Sequence, residues 1–441
     1  MKITRALPLT LIACLLALPM RAATHDIWPG HDFDTRMNNI LSVLNNFDTI
    51  RIHGNHTYDT DNGRFVINKD VEIIGDGLGV TRIRRTGSST ASMFFVTANG
   101  VRFEGLTMIC NKLAKQGVHA DGVSGLALVN VAIDKGYERP IVPSTGLPGR
   151  DGSLSAIYCT EGKSLPNLYV DGCTFKNMGW AGLYMGSGHG SAPLYTSSSY
   201  GGYFVINNCR FKRTSESYMR KGIAVDYGED GLNYSIDFGT GTNPITNSRP
   251  VNDWKNYGWL GNSTFDQMVF YSFDFSRTKK ILIENNDLRG GHWAQAQADD
   301  SRFPAAVHLE NRCVSMVVNQ NTIAEMGGYM GILLAGFFAN DGNDDCKWIY
   351  ITDNLFDGDA LGVNDNMVVA ISGGAAENAH VKDNRFNHNN THPNGKIVAF
   401  WGDTSTTPTS YATANTKSNM TGNTVFGVAL NKTTQVVVSQ P

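Results

Sequence analysis

Short segments in which hydrophobic and polar residues alternate recur along most of the 441-residue chain. The pattern is clearest at 204–226, where FVINNCRF is followed by a polar connection and then by GIAVD. Similar pairs follow, including ILIENNDL with AAVHLEN, MVVNQNTI with GILLAG, and IYITDNLF with MVVAIS. Such alternation is typical of short half-buried β-strands. Because a unit of two short strands cannot bury its own apolar face, it must stack on copies of itself. The pattern therefore predicts a β-solenoid.

A column of asparagines marks the register of the repeat. When the first segments are aligned, the shared position holds Leu106, Val131, Cys173, Cys209, Asn286, Asn321, Asn354, Asn384 and Asn423. Three successive spacings are 35, 33 and 30 residues. The step from Cys209 to Asn286 is about two coils long, and we assign the excess to an insertion at 228–267. Stacked asparagines can hydrogen-bond along the axis, which satisfies amides that would be costly to bury alone.

Two segments within the first fifty residues have distinctive compositions, one typical of a leader and one typical of a helix. Residues 1–23 resemble a secretory signal peptide, with Lys2 and Arg5 before an apolar run and small residues at the end. We therefore expect export to the periplasm or out of the cell, and a single mature domain over 24–441. Residues 33–47 carry apolar side chains at helical spacing after Asp32, which predicts a short helix that caps the open end of the solenoid.

The charge and hydropathy of the chain argue against nucleic-acid binding and against a membrane-spanning helix. The formal net charge is −3, without the basic excess that nucleic-acid binding requires. After the leader, no apolar run reaches the length of about 18 residues that a membrane-spanning helix needs. We expect neither nucleic-acid binding nor a membrane span, and the sequence leaves both a monomer and a homotrimer open.

The repeated [VI]-x-[DNQ]-N-x-[FIL] segments and the opening DTIRIHGNHTY…VEIIGDG resemble the right-handed parallel β-helix superfamily of pectate lyases and related carbohydrate-active proteins. The resemblance extends over 48–438. It implies an all-β, right-handed parallel β-helix solenoid and a polysaccharide substrate, with acidic metal ligands and a basic side chain as Brønsted base.

Alternation within the second segments assigns side chains to the two faces of their strands. The apolar Leu183, Ile223, Val307 and Ile332 share one parity and are predicted to point inward. The other parity gives three outward rows that include Tyr184, Asp226, His308, Glu310 and Arg312. Because coils stack about 4.8 Å apart, we expect Asp226 and Glu310 to lie side by side. Lys221 falls in the polar connection before its segment, where a solvated turn is expected.

Two chemistries fit such a pair of carboxylates. In a lyase, Asp226, Glu310 and Asp230 would hold a hard cation such as Ca²⁺ against the substrate carboxylate. His308, Arg312 or Lys221 would then be the base. Tyr184 would be the acid in that scheme. In a retaining glycoside hydrolase, Asp226 and Glu310 would instead be nucleophile and acid/base.

Loops are predicted to wall the site. Insertions at 187–203 and 228–267 leave the solenoid next to the outward carboxylates, and they are rich in aromatic residues that can stack on sugars. The candidate substrate-binding residues are His189, Trp254, Tyr257, Trp259, His292 and Trp293. Cys313 and Cys346 share a column on adjacent coils, so a disulfide between them is also predicted.

These observations predict an exported lyase that cleaves an acidic polysaccharide by β-elimination. A glycoside hydrolase, a uronate epimerase and a non-catalytic glycan-binding β-helix remain alternatives. An ordinary surface ion-pair cluster would account for the same outward residues without any chemistry.

Overall fold

A computed structural model describes most of the repeat. The described residues are 22–111, 114–135, 155–160, 163, 165–186, 204–213, 219, 221–226, 258–268, 270–276, 278, 280–290, 305–310, 313–324, 330–335, 346–357, 369–373, 376–377, 379–387, 397–401, 420–432 and 436–439.

Within these residues the strands form two long sheets, numbered here in chain order. Sheet A contains β1 (Thr24–Ile27), β2 (Thr49–Ile52), β3 (His56–Thr60), β5 (Glu72–Gly75), β6 (Thr81–Arg85), β8 (Arg102–Ile109), β10 (Ala127–Asp134), β12 (Leu168–Asp171), β13 (Thr174–Lys176), β15 (Phe204–Asn207), β16 (Arg210–Lys212), β18 (Gly258–Gly261), β19 (Thr264–Asp266), β21 (Leu282–Glu284), β22 (Asp287–Arg289), β24 (Val314–Asn319), β25 (Thr322–Ala324), β27 (Cys346–Thr352), β28 (Leu355–Asp357), β30 (Ala376–Glu377), β31 (His380–Lys382), β32 (Arg385–Asn387), β34 (Met420–Thr421), β35 (Thr424–Val425) and β36 (Val428–Ala429). Sheet B contains β4 (Phe65–Ile67), β7 (Phe94–Val96), β9 (Val118–Ala120), β11 (Ile157–Cys159), β14 (Ala181–Gly186), β17 (Lys221–Asp226), β20 (Tyr271–Ser276), β23 (Ala305–Glu310), β26 (Met330–Ala335), β29 (Val369–Gly373), β33 (Val398–Trp401) and β37 (Val436–Ser439).

Each regular coil contributes two strands to sheet A and one to sheet B. Both sheets pair in parallel from coil to coil, as in β14–β17–β20–β23. The predicted first segment of a unit is therefore two strands separated by a bend. At that bend Asn208, Asn262 and Asn285 adopt φ values of 51° to 54°, a left-handed conformation that asparagine tolerates well. The expected right-handed parallel β-helix is confirmed.

The asparagine column forms a buried ladder along sheet A. The backbone N–H of Asn286 donates to Asn321 Oδ1 (2.9 Å), that of Asn321 to Asn354 Oδ1 (2.9 Å), and the pattern continues to Asn423. The side-chain amides donate along the same column at 2.9–3.0 Å. Each amide is thereby satisfied by the next coil, which offsets the cost of burying it.

The ladder also contains Ser263, a residue that the predicted repeat assigned to an insertion. The Ser263 N–H donates to Asn286 Oδ1 (3.0 Å), so Ser263 occupies the column between Cys209 and Asn286. Residues 258–276 form a complete coil of β18, β19 and β20. The predicted insertion 228–267 is therefore wrong at its C-terminal end. Residues 228–257 and the insertion 187–203 lie outside the described residues.

The N-terminal cap is a helix, α1 (Phe33–Val43). Asp32 is its N-cap and accepts a hydrogen bond from the Thr35 N–H at 2.7 Å. Phe33, Met37 and Ile40 are buried against the first coils. The predicted capping helix is confirmed, although it ends at Val43. No helix among the described residues is long and apolar enough to cross a membrane.

The predicted disulfide is not formed. Cys313 and Cys346 lie on neighbouring coils, because Val314 pairs with Lys347, yet both are buried thiols that are not linked to each other. The Cys313 sulfur donates to the Glu310 carbonyl oxygen (3.2 Å), and the Cys346 sulfur lies 3.5 Å from the Leu309 carbonyl oxygen. A shared column brings the backbones close together, but here both sulfurs turn toward carbonyl groups.

Candidate active site

Three adjacent strands of sheet B carry the candidate site. Ala224, Asp274 and His308 are paired across β17, β20 and β23, and the backbones of Asp226, Ser276 and Glu310 are paired two residues further along the same strands. Ile223, Phe273 and Val307 lie on the opposite face, in the core, so the predicted alternation is confirmed. Asp274 lies between Ala224 and His308 in this register. It belongs to the coil of β18, β19 and β20, which the sequence pattern did not predict.

A buried cluster forms around Asp274, which we call the Asp274 cluster (Lys221, Asp274, His308 and Glu310). The Lys221 ammonium donates to Asp274 Oδ2. His308 Nδ1 lies 2.7 Å from Asp274 Oδ1, and His308 Nε2 lies 3.7 Å from Glu310 Oε2. Between 1% and 8% of each residue is exposed. The expectation that Lys221 occupies a solvated turn is wrong, because Lys221 begins β17 and is nearly buried.

The charges of the cluster are set by its contacts. Burial, the largest influence on Asp274, would by itself raise its pKa, but the Lys221 ammonium and the His308 hydrogen bond outweigh burial and hold this pKa well below its usual range. An ionised Asp274 can only accept hydrogen bonds, so His308 Nδ1 carries a proton.

Aromatic rings enclose the cationic side of the cluster. The Tyr271 ring stacks on the His308 ring, with centroids 4.5 Å apart and an interplanar angle of 16°. The Lys221 ammonium lies 5.4 Å from the Trp180 ring centroid and 5.6 Å from that of Tyr271. These cation–π contacts help to retain a charged ammonium away from water. Tyr271 and Trp180, like Asp274, were not among the sequence candidates.

The predicted neighbourhood is correct for three residues of the Asp274 cluster. Lys221, His308 and Glu310 come together, but the predicted contact between Asp226 and Glu310 is wrong because Ser276 lies between them. Two coil steps separate their backbones by about 10 Å.

Two predicted aromatic residues lie away from the cluster. Tyr184 is in the same outward row as Asp274 but two coils earlier, where its ring stacks on Tyr158 (5.8 Å, 9°). Trp259 belongs to β18 of sheet A and packs beside Leu282, so it cannot wall a groove over sheet B as predicted. The other candidates lie outside the described residues: Arg312, Asp230, His189, Trp254, Tyr257, His292 and Trp293.

The residues described do not assemble the predicted Ca²⁺ site. Asp226 is two coils from Glu310, and Asp230 lies outside the described part of the chain. Asp274, His308 and Glu310 each offer a ligand atom within 4.8 Å of the others. An imidazole among the ligands is more typical of transition metals than of Ca²⁺, and Asp274 already accepts hydrogen bonds from Lys221 and His308. Calcium dependence stays a prediction.

Comparison with known proteins supports the fold. No family model matches the chain, and a search of curated proteins found no match. Among solved structures, the chain is similar to the Dettilon tailspike protein (10% identity, TM-score 0.51, covering 93% of this chain and 68% of that one). It is also similar to an alginate lyase in complex with a trisaccharide (12%, 0.48, 96% and 89%). A third similar structure is the catalytic domain of an alpha-1,3-glucanase in complex with tetrasaccharides (12%, 0.46, 93% and 59%). At this level of identity the likeness establishes the parallel β-helix, and the chemistry must be argued from this chain's own residues.

Proposed function

We propose that the protein is an enzyme that acts on an acidic polysaccharide and begins by removing the proton next to a uronate carboxyl group. The observation that carries the proposal is the buried Lys221–Asp274–His308 arrangement, which combines a fixed cation with an imidazole oriented by a carboxylate. A surface ion-pair cluster would be solvated, whereas this one is almost completely buried. Buried ion pairs cost desolvation energy, so they are weak devices for stability alone.

In this scheme His308 is the base and Asp274 is its positioning residue. The Asp274 carboxylate accepts a hydrogen bond from His308 Nδ1–H, which orients the imidazole and stabilises the imidazolium that forms when His308 takes the proton. Lys221 supplies positive charge where the substrate carboxylate gains negative character as its α carbon loses the proton. A preorganised ammonium in a water-poor site is more effective for this purpose than one in solvent.

Lyase chemistry completes the reaction by eliminating the glycosidic oxygen from C4. The C5–H bond breaks, a C4=C5 double bond forms, and the C4–O4 glycosidic bond breaks. The proton that His308 has taken from C5 can pass to the departing O4 when the C5–H bond and the C4–O4 bond lie on the same face of the sugar. An epimerase shares the first step but returns a proton to the opposite face of C5.

The test is the ultraviolet absorbance of the unsaturated uronate, followed over a panel of acidic polysaccharides with Ca²⁺ or with chelator. We expect absorbance to rise with wild-type protein and kcat to fall at least about 10²-fold in His308→Ala. The matched control is His380→Ala, which removes a histidine from sheet A, away from the cluster.

Other outcomes would redirect the assignment. New reducing ends without absorbance would establish hydrolysis, and solvent deuterium at C5 without chain cleavage would establish epimerisation. A His308→Ala protein that retains wild-type rates would refute the proposed role of the cluster. Polysaccharide binding without any product would identify a non-catalytic glycan-binding protein.

A further inference from the structure

The outward row that holds Asp274 and His308 continues toward the N-terminal end of sheet B. Ala224 pairs with Tyr184, and the preceding coils place Tyr158, His119 and Phe95 in the same row. We call these four the aromatic row (Phe95, His119, Tyr158 and Tyr184). Successive ring centroids are 4.8, 5.1 and 5.8 Å apart, and all four side chains are partly buried. The row therefore forms a series of ring contacts that ends at Tyr184, which packs with Trp180, and the Trp180 ring centroid lies 5.4 Å from the Lys221 ammonium of the Asp274 cluster.

A hydrogen-bonded group fixes the orientation of His119 within this row. His119 Nε2 lies 2.9 Å from Thr160 Oγ1 and 3.1 Å from Asp121 Oδ1. The Thr160 hydroxyl donates to Asp121 Oδ2 (2.9 Å), and the Thr160 backbone N–H donates to Asp121 Oδ1 (2.8 Å). The imidazole is thus held from one side by two residues of different coils.

These contacts determine what the other side of His119 can bind. Burial alone would raise the pKa of Asp121, but the hydrogen bonds from His119 and Thr160 together hold that pKa below its usual value. Because the ionised Asp121 only accepts and the Thr160 hydroxyl gives its proton to Asp121, the His119 proton lies on Nε2. Among the residues that the structure describes, none bonds to His119 Nδ1, and the side chain is 18% exposed. His119 therefore presents an accessible acceptor of fixed direction.

We propose that His119, Asp121 and Thr160 form a distal subsite for the polysaccharide, in which a sugar hydroxyl donates to His119 Nδ1. The inference rests on the proposed function for the class of ligand. It commits to the substrate chain because the aromatic row lies on the same face of sheet B as the Asp274 cluster and contacts it through Trp180. The exposed Arg64, whose guanidinium carbon lies 4.5 Å from the Phe95 ring centroid, adds a cation at the outer end of the row that suits an acidic sugar.

The register sets the length of chain that the subsite can detect. Five coil steps separate His119 from His308. At the usual strand spacing this is about 24 Å along the axis. Only oligosaccharides long enough to span this distance can occupy both sites together, so the subsite favours polymers over short fragments.

The test is a size series of oligosaccharides from an acidic polysaccharide that the wild-type protein converts. We expect the wild-type KM to fall once the chain spans about 24 Å. In His119→Ala and Thr160→Val we expect KM for those long chains to rise about tenfold, the loss of one or two ordinary hydrogen bonds, with kcat retained. His56→Ala, which removes an exposed histidine from sheet A, should leave the length dependence as in the wild type.

The outcomes separate this inference from the proposed function. If the wild-type protein converts the polysaccharide but both variants keep its length dependence, the distal subsite is refuted and the enzyme assignment stands. An equal rise in KM for short and long chains would also refute the subsite, because it would indicate a general structural effect. If the wild-type protein neither binds nor converts any acidic polysaccharide, the proposed function itself fails.

Discussion

The buried ion pair between Lys221 and Asp274 makes a prediction for both stability and activity. Asp274→Asn keeps the shape of the side chain but removes the negative charge beside an ammonium that is only 8% exposed. Leaving one member of a buried pair uncompensated costs about 3–5 kcal/mol. We therefore expect the free energy of unfolding of this variant to be lower by about that amount.

A double variant separates the two roles of the pair. In Lys221→Met/Asp274→Leu neither partner is left charged, so most of the lost stability should return, because apolar replacements of a buried pair are often neutral. Activity should not return, since His308 Nδ1 has lost its carboxylate partner. Loss of the equivalent carboxylate in a serine-protease triad lowers kcat about 10⁴-fold, and we expect a reduction of about 10³–10⁴-fold in both variants.

Chemical denaturation followed by tryptophan fluorescence gives the stabilities, and the uronate absorbance assay gives the rates. If Asp274→Asn is destabilised by less than about 1 kcal/mol, the pair behaves as a solvent-screened surface pair and the structural reasoning is wrong. If the double variant is as active as the wild type, the Asp274 cluster is not the catalytic centre.

Three further predictions follow from the described contacts. Because the pKa of Asp274 is lowered in the folded state, its stabilising contribution is present above the ordinary aspartate pKa and is lost as pH falls below it. The free energy of unfolding of Asp274→Asn should therefore fall less steeply with decreasing pH than that of the wild type. Equal slopes of the two curves would contradict this. Asn321→Leu removes a side chain that accepts from Asn286 and donates to Asn354, so stability should fall by about 3 kcal/mol or more in denaturant titrations as buried partners lose their bonds. The control Asn39→Ala, at an exposed position of α1, should have a much smaller effect. Cys313 and Cys346 should each be alkylated in denaturant without reductant, as mass spectrometry can show, and a linked peptide pair would establish the disulfide instead.

The sequence by itself determined the architecture of this protein. Alternation in segments such as GIAVD assigned Ile223 to the core, and the spacing of Asn286, Asn321 and Asn354 set the coil length. Both inferences depend on local periodicity, which the pleat of a strand and the repeat of a solenoid translate directly into structure. Asp32 similarly identified the start of the capping helix, because an N-cap acts within three residues of itself.

Only the tertiary structure decided which coils are neighbours. Ser263 replaces asparagine in the ladder, so the sequence pattern assigned residues 258–267 to the insertion 228–267 and gave no role to Asp274. Missing one coil leaves every inward and outward assignment unchanged, since parity is counted within a strand. It nevertheless displaces each contact across that point by about 4.8 Å along the axis. For this reason Glu310 was expected beside Asp226, whereas the site is organised around Asp274, on the coil between them.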